Sequence, residues 1–262
     1  MRSILGLHIM SFADLEKLWH DGYLGQITSK YWGFFGKLIL GGEKRTKKFF
    51  EYYSKQKVEI PKKDLKYFTL SEHDFDYLLP FFRSFGEVWN AFWEFDEILF
   101  YINNYPGSIK YKKKISLFEW GNYHLEATNH QFFILRERVL QFIRTMEKIS
   151  KADKDPRFLK LKDTEKVILD YFEPFVAKRH ELVHQKSFLD ENLNGILAEG
   201  TILEKKLKKG VRTWNVRDIP KAEEKMKKKL DNRTLEISEE LKKLFTFLDS
   251  NFKVVWEIMK DW

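Results

Sequence analysis

Apolar residues recur at intervals of three and four along several stretches of this chain, which is the pattern of helices with one buried face. The first clear stretch covers residues 81–102, and the Asn-Asn-Tyr-Pro-Gly sequence at 103–107 predicts where it ends. Pro80 is expected to separate this helix from an earlier helical turn or to kink it. The predicted buried stripe is Phe85, Val88, Trp89, Phe92, Phe95, Leu99 and Ile102.

Three more helices are predicted from the same spacing. One covers residues 127–150, one begins at Asp163 as its N-cap, and one covers residues 238–260. Pro174 interrupts the second, so the chain after it is either a kinked continuation or a new helix. Residues 109–120 are expected to be an extended connection. The predicted stripes are Phe132, Leu135, Val139, Phe142, Met146 and Ile149 in the first helix, Val167, Ile168, Tyr171 and Phe172 in the second, and Leu241, Leu244, Leu248, Phe252, Val255 and Met259 in the third.

These helices predict an all-α protein, with an aromatic-rich helical N-terminal region over residues 1–110 and a helical bundle over residues 120–262. Thirteen Gly and six Pro among 262 residues are too few for a loop-rich β-sandwich. Aromatic residues make up 16% of the chain and supply the apolar area for a substantial core. The absence of Cys excludes disulfides, thiolate metal sites and thiol nucleophiles.

Charge adds a hypothesis about partners. Lys and Arg total 47 against 39 Asp and Glu, a net charge of +8, which favours polyanionic partners such as RNA. Residues 203–229 hold eleven basic and four acidic side chains, and residues 44–66 and 110–114 are basic too. These segments are either a track for a phosphate backbone or solvated surface and linker. No targeting segment or uncharged apolar span is evident, so we expect a cytoplasmic protein that does not enter a membrane.

One stretch, residues 175–188, carries candidate chemistry with two interpretations. The sequence His180-Glu181-Leu182-Val183-His184 has the H-E-x-x-H spacing of zinc metalloproteases, in which two imidazoles bind Zn²⁺ and the glutamate activates water. The cations nearby, Lys178, Arg179 and Lys186, oppose this because they repel a divalent metal ion. The possible third ligands, which include Asp190, Glu191 and Glu199, have no zincin motif around them.

The second interpretation begins one residue earlier. Arg179, the polar residue His180, and His184 form an Arg-polar-x3-His pattern that resembles the motif of the HEPN superfamily. The apolar-His-polar run at 183–188, followed by acidic residues, also resembles some HEPN proteins. The resemblance covers about residues 125–262 and leaves residues 1–110 unexplained.

The resemblance implies an all-α bundle and a metal-independent endoribonuclease, often of a toxin–antitoxin or antiviral system, with no cofactor. It implies His184 as general acid and base, Arg179 holding the phosphoryl oxygens, and His180 orienting the substrate or tuning His184. The expected partners are RNA, a second copy in a homodimer that forms a composite site, and an antitoxin or other regulatory protein. A catalytically silent RNA- or partner-binding module is the alternative. Basic side chains expected to bind substrate are Lys178, Lys186, Lys205, Lys206, Lys208 and Lys209.

Helix geometry sets a condition on the nuclease hypothesis. Positions five apart, such as Arg179 and His184, are about 140° apart around a straight helix, whereas His180 and His184 are about 40° apart. Arg179 must therefore reach round the helix, or the segment after Pro174 must bend. His124 and His130, six residues apart on the predicted 127–150 helix and its entrance, share no face and are interpreted as structural.

Overall fold

The structure is a computed structural model that describes residues 22–39, 72–105, 115, 117–184 and 218–260. Within these ranges the side chains of 34–39, 72–78, 118, 178, 181–184 and 218–222 are not described. Every regular element in this part of the chain is an α-helix, which confirms the all-α prediction. The helices are α1 (Tyr23–Ile39), α2 (Glu72–Asn103), α3 (Leu117–Ala152), α4 (Phe158–His184) and α5 (Asp218–Met259).

Helix α2 ends at Asn103, as predicted, and continues without interruption through Pro80. The expected separation at this proline is therefore wrong. Proline removes one backbone hydrogen bond, but the side chains that follow it, Phe81 and Phe82, are almost completely buried and hold the helix in place. Ser84 donates a hydrogen bond from Oγ to the carbonyl of Pro80 at 2.8 Å. Packing has outweighed local propensity here.

Helices α3 and α4 both begin earlier than predicted. The extended connection expected over 109–120 is wrong for 117–120, which are helical, while 106–114 lie outside the described residues. Asp163 lies inside α4, not at its start. Asp155 takes the capping role, because its Oδ1 accepts from the backbone N–H of Arg157 at 2.9 Å. The hydrogen bond from the Arg157 side chain lowers the pKa of Asp155.

Pro174 does not end α4, so the continuation is the alternative that the structure supports. Three of the four residues predicted to face inward from the start of this helix are at least partly buried, but Val167 is 44% exposed. Helix α5 begins at Asp218, well before the predicted start at 238. Residues 218–237 are rich in Lys and Glu, and their buried stripe is sparse: Met226, Leu230, Thr234 and Ile237.

The chain divides into two compact units, each assembled from separate stretches of sequence. Unit 1 comprises Met1–Phe12, Trp93–Ile134 and Phe172–Lys243, and unit 2 comprises Ala13–Phe92, Leu135–Tyr171 and Leu244–Trp262. The division drawn from the sequence, 1–110 and 120–262, stays a prediction. None of the described helices is both long and apolar enough to cross a membrane.

Unit 2 has a core built around phenylalanine. Phe85 stacks on Phe81 with ring centroids 5.7 Å apart, and Phe142 lies 5.3 Å from Phe85 and 5.4 Å from Phe252. These four side chains are at most 1% exposed. Rings at such distances add to the free energy gained from burying their area, so this cluster is a principal source of stability.

Backbone groups at helix ends in unit 2 form hydrogen bonds with side chains from distant parts of the chain. The carboxylate of Asp249, in α5, accepts from the backbone N–H of Leu24 at 2.8 Å and so caps the start of α1. Gly22 makes this possible, because a Cβ at that position would overlap the Asp249 carboxylate. At the C-terminal end of α5, Lys30 donates a hydrogen bond to the carbonyl of Met259, and Arg157 donates one to the carbonyl of Glu257. Both cations complement the negative end of the helix dipole.

Unit 1 buries more polar groups. Phe132 packs on Phe95 and Phe175 with centroids 4.7 and 4.5 Å away. Polar side chains, among them His124, Thr128 and Asn129, are buried beside this apolar core. Thr128 and Asn129 each donate to a backbone carbonyl four residues earlier, which satisfies their donors within α3.

Candidate functional site

The HEPN-like motif lies in the last turns of α4, in unit 1. The structure describes the side chains of Arg179 and His180, but of His184 only the helical backbone. The guanidinium carbon of Arg179 lies 3.9 Å from the centroid of the Phe133 ring, which belongs to α3. Arg179 is thus held on α3 by a cation–π contact, worth about 0.5–2 kcal/mol depending on desolvation.

Arg179 has a second distinctive feature, which concerns its charge. No salt bridge joins it to a carboxylate in the part of the chain that the structure describes, and its buried Nε has no hydrogen-bond partner there. His130 stacks on the same Phe133 ring, with centroids 6.5 Å apart and an interplanar angle of 19°. A cation and an exposed imidazole therefore share one aromatic ring.

Sequence reasoning had paired Arg179 with His184 and His180, and had set His130 aside as structural. The structure brings His130 to the ring that holds Arg179. The i,i+3 spacing of His130 and Phe133 was visible in the sequence, but their approach to Arg179 depends on the packing of α4 against α3, which no local pattern encodes.

Helix α4 runs from Phe158 through Pro174 to His184, so residues 179–184 all lie within the helix. Arg179 and His184 are therefore about 140° apart around the helix and on different sides of it. A phosphate held by both residues would need a second chain, or the full reach of the arginine side chain.

The same helix places His180 and His184 about 40° apart, which is also what the H-E-x-x-H interpretation requires. His180 is exposed. Among the described residues, no three or more His, Asp or Glu side chains lie close enough together to hold a metal ion. The proposed third ligands, Asp190, Glu191 and Glu199, fall outside the described residues, so the zinc hypothesis is neither strengthened nor removed.

The predicted substrate-binding lysines stay predictions. Lys178 is in α4, but its side chain is not described. The others lie outside the described residues: Lys186, Lys205, Lys206, Lys208 and Lys209.

A second cluster in unit 1 surrounds His124. Its side chain is 6% exposed, burial lowers its pKa, and its buried Nε2 has no hydrogen-bond partner in the described chain. The Trp120 ring lies 4.4 Å from the imidazole and the Tyr101 ring is stacked on it at 5.6 Å. Trp120 donates from Nε1 to the carbonyl of Tyr101 at 2.9 Å, which ties α3 to α2 beside the imidazole. The cluster encloses a buried histidine among aromatic rings.

Comparisons of this chain with family models, with curated proteins and with solved structures find no match. Function can therefore be inferred only from the chemistry of the residues themselves, above all from the positions of Arg179, Phe133 and His130.

Proposed function

We propose that this protein is a HEPN-like endoribonuclease, active as a homodimer, in which Arg179 binds the scissile phosphate and His184 transfers protons. The observation that carries the proposal is the guanidinium of Arg179, held on the Phe133 ring with no carboxylate partner among the described residues. In a salt bridge, the positive charge of an arginine would be neutralised by a carboxylate of the protein. An arginine supported by an aromatic ring keeps its remaining N–H groups for a phosphate.

The chemistry requires a proton acceptor and a proton donor around one phosphate. The ribose 2′-OH loses its proton and attacks the phosphorus, the bond from phosphorus to the 5′-oxygen breaks, and that oxygen takes up a proton. The products are a 2′,3′-cyclic phosphate and a 5′-hydroxyl end. Imidazole suits both proton transfers near neutral pH, and Arg179 stabilises the charge on the phosphoryl oxygens.

The position of Arg179 and His184 on different sides of α4 supports a composite site, in which Arg179 of one chain acts with His184 of another. His130 supplies a further imidazole on the Phe133 ring that also holds Arg179. We include it in the proposal as a candidate for the second proton transfer. No divalent metal takes part in this chemistry.

The test is cleavage of a fluorescent single-stranded RNA by His184→Ala, His130→Ala and Arg179→Ala variants in EDTA. Loss of an acid–base group lowers the rate about 10²- to 10⁴-fold. Arg179→Lys should recover only part of the activity, because an ammonium group cannot make the bidentate contact. Arg144→Ala is the matched control, since this arginine is exposed and bonded to Glu165, and it should cleave normally.

Circular dichroism and thermal unfolding of each variant establish that the fold is kept. Full activity of folded His184→Ala would contradict the proposal. RNA cleavage that EDTA abolishes and Zn²⁺ restores would also contradict the proposal, because it would show a metal-dependent site, for which His180 and His184 are the candidate ligands.

A non-cleaving RNA-binding module is the second candidate, which applies if no second chain brings its His184 to Arg179, since a single α4 places these two positions about 140° apart. It predicts no cleavage by the unmutated protein and RNA binding that weakens steeply with salt, with a smaller salt slope after Arg179→Ala.

A further inference from the structure

Two planar side chains meet the Phe133 ring of α3, and one of them is open to solvent. The imidazole of His130 lies with its centroid 6.5 Å from the ring centroid and is nearly parallel to the ring, with an angle of 19°. The guanidinium carbon of Arg179 lies 3.9 Å from the same centroid. Phe133 is half-buried and His130 is exposed. We call these three side chains the ring site. The proposed cleavage uses its charge and its imidazole nitrogens, but not the faces of its rings.

The ring site stands on a firmly packed part of unit 1. Phe132, the residue before Phe133, is 1% exposed and packs on Phe95 of α2 and Phe175 of α4. This packing fixes the segment of α3 that carries both rings before any ligand binds. A surface fixed in this way loses little conformational entropy on binding.

The charges around Arg179 favour an anionic ligand. Within four positions of Arg179 in α4, the formally charged neighbours are Lys178 and Glu181, whose charges cancel. Residues 185–217, which follow α4 and lie outside the described residues, contain seven basic and four acidic side chains. Neither sequence supplies an excess of carboxylates that would oppose the binding of a phosphate to the arginine.

Two carboxylates of α3 flank the ring site along the helix. Glu137 is paired with Arg136 at 2.6 Å, so its charge is offset. Exposed Glu126 precedes His130 by four residues, and its carboxylate accepts a hydrogen bond from the neutral side chain of Asn122. A phosphate beside Glu126 would be repelled, whereas a neutral nucleobase would not. These charges place a base at the imidazole and a phosphate at the guanidinium.

From these observations we infer that the ring site binds one nucleotide of a single-stranded RNA, with the base stacked on His130 and the phosphate on Arg179. Aromatic rings beside a cation are the usual means by which proteins hold single strands. Because both side chains contact one ring, a base and its own phosphate can reach both of them. The inference rests on the proposed function for Arg179 as the phosphate-binding group, and it adds a subsite for the base.

The test measures binding of a fluorescein-labelled single-stranded oligoadenylate to the full chain by anisotropy, in EDTA. The riboses of this strand carry 2′-O-methyl groups, which remove the attacking hydroxyl, so cleavage cannot affect the result. A second strand has the same sugars and phosphates but no bases. It should bind at least about tenfold more weakly, because each stacked base contributes to affinity.

The variants separate the base from the phosphate. His130→Ala should raise Kd for the strand with bases about tenfold and leave Kd for the abasic strand within about twofold. His130→Phe keeps a planar ring and should bind both strands like the unmutated protein. Arg179→Ala should raise Kd for both strands and reduce the salt dependence by about one phosphate contact.

Matched controls are Trp32→Ala, which removes an exposed ring from α1, and Arg144→Ala, which removes an exposed arginine paired with Glu165. Neither should change the ratio of the two Kd values. His130 is exposed, so thermal unfolding of its variants should match that of the unmutated protein.

Three results would overturn the inference. One is equal binding of the two strands. Another is an equal loss of affinity for both strands in His130→Ala. The third is His130→Phe binding as weakly as His130→Ala, which would assign the imidazole a hydrogen bond in place of stacking. Failure of the proposed function would be seen separately, as unmodified RNA that stays uncut or as Arg179→Ala that leaves both Kd values unchanged.

Discussion

The two compact units differ in the kinds of side chain that they bury. Unit 2 fills its interior with apolar side chains and satisfies its helix ends with charged groups from distant segments, such as Asp249 and Lys30. Among the described residues, both units bury hydroxyl groups that bond back to their own helices, such as Thr128 in unit 1 and Ser84 in unit 2, but only unit 1 also buries an imidazole and amide side chains. Buried polar groups that bond within their own helix add little to stability.

Buried polar atoms with no hydrogen-bond partner in the described chain occur in both units, and in unit 2 they are Arg136 Nε and Ser150 Oγ. In unit 1 these include His124 Nε2 and Arg179 Nε, and both belong to clusters that combine aromatic rings with a titratable or charged group. Groups of this kind lower stability and are found at sites of binding or chemistry. We therefore expect unit 2 to depend mainly on apolar packing for its stability, whereas unit 1 holds the candidate sites.

Removing one core ring is the strongest way to break this comparison. Phe142→Ala should lower the free energy of unfolding by about 3–5 kcal/mol, since Phe142 contacts Phe81, Phe85 and Phe252 and its loss leaves a cavity. Denaturant unfolding measures the change. Phe100→Ala, on the exposed surface of unit 1, should change it by less than about 0.5 kcal/mol. Equal losses from the two substitutions would contradict the division of roles.

A glycine in each unit offers a smaller and sharper comparison. Gly22→Ala should cost about 1–2 kcal/mol, because the new Cβ displaces the Asp249 carboxylate that caps α1. Gly121→Ala brings a Cβ within 2.9 Å of the methyl end of Met226, which can move, and alanine favours the helix. Its effect should be within about 0.5 kcal/mol of zero.

Thermal unfolding measures both glycine variants, with Asp249→Ala as a third. If the cap is the cause, Gly22→Ala combined with Asp249→Ala should be hardly less stable than either alone. Additive losses would show that Gly22 acts in another way.

The buried imidazole of unit 1 predicts a pH effect. Burial lowers the pKa of His124 from 6.5, so between the two pKa values the unfolded chain binds a proton that the folded chain excludes. Stability should therefore fall as the pH decreases below about 6.5. His124→Phe keeps a ring in place and removes the titration, so its Tm should fall less between neutral pH and about pH 5.

Other groups, such as Asp231, whose pKa is raised by burial, titrate in both proteins and cancel in the comparison. An equal fall in Tm for His124→Phe and the unmutated protein would remove His124 as a source of this pH dependence.

Sequence patterns predicted the parts of this fold that depend on local periodicity. The apolar stripes of α3 and the second half of α5 are buried as expected, and α2 ends at Asn103. At Pro80 the same patterns predicted a separation or a kink; separation is wrong, because the packing of the flanking phenylalanines outweighs the missing hydrogen bond, and a kink stays a prediction. They also failed over 218–237, where a buried Thr234 continues a stripe that hydrophobicity alone does not show.

The candidate site was predicted less completely, for a related reason. The sequence identified Arg179 from its spacing to His184, but could not show that its guanidinium rests on Phe133, 46 positions away. Nor could it distinguish His124, enclosed by rings, from His130, exposed beside Arg179. Side chains that meet across helices are set by tertiary packing, which a single sequence encodes only indirectly.

The last turn of α5 has a consequence for motion. Helix ends usually fray, since their final carbonyls lack partners and the last residues open and close rapidly. Here two of those carbonyls accept hydrogen bonds, one from Lys30 within α1 and one from Arg157 in the turn before α4. Unwinding this end must therefore break the hydrogen bonds from both Lys30 and Arg157. We expect the end of α5 and the segments around these two residues to open together, although they are far apart in the chain.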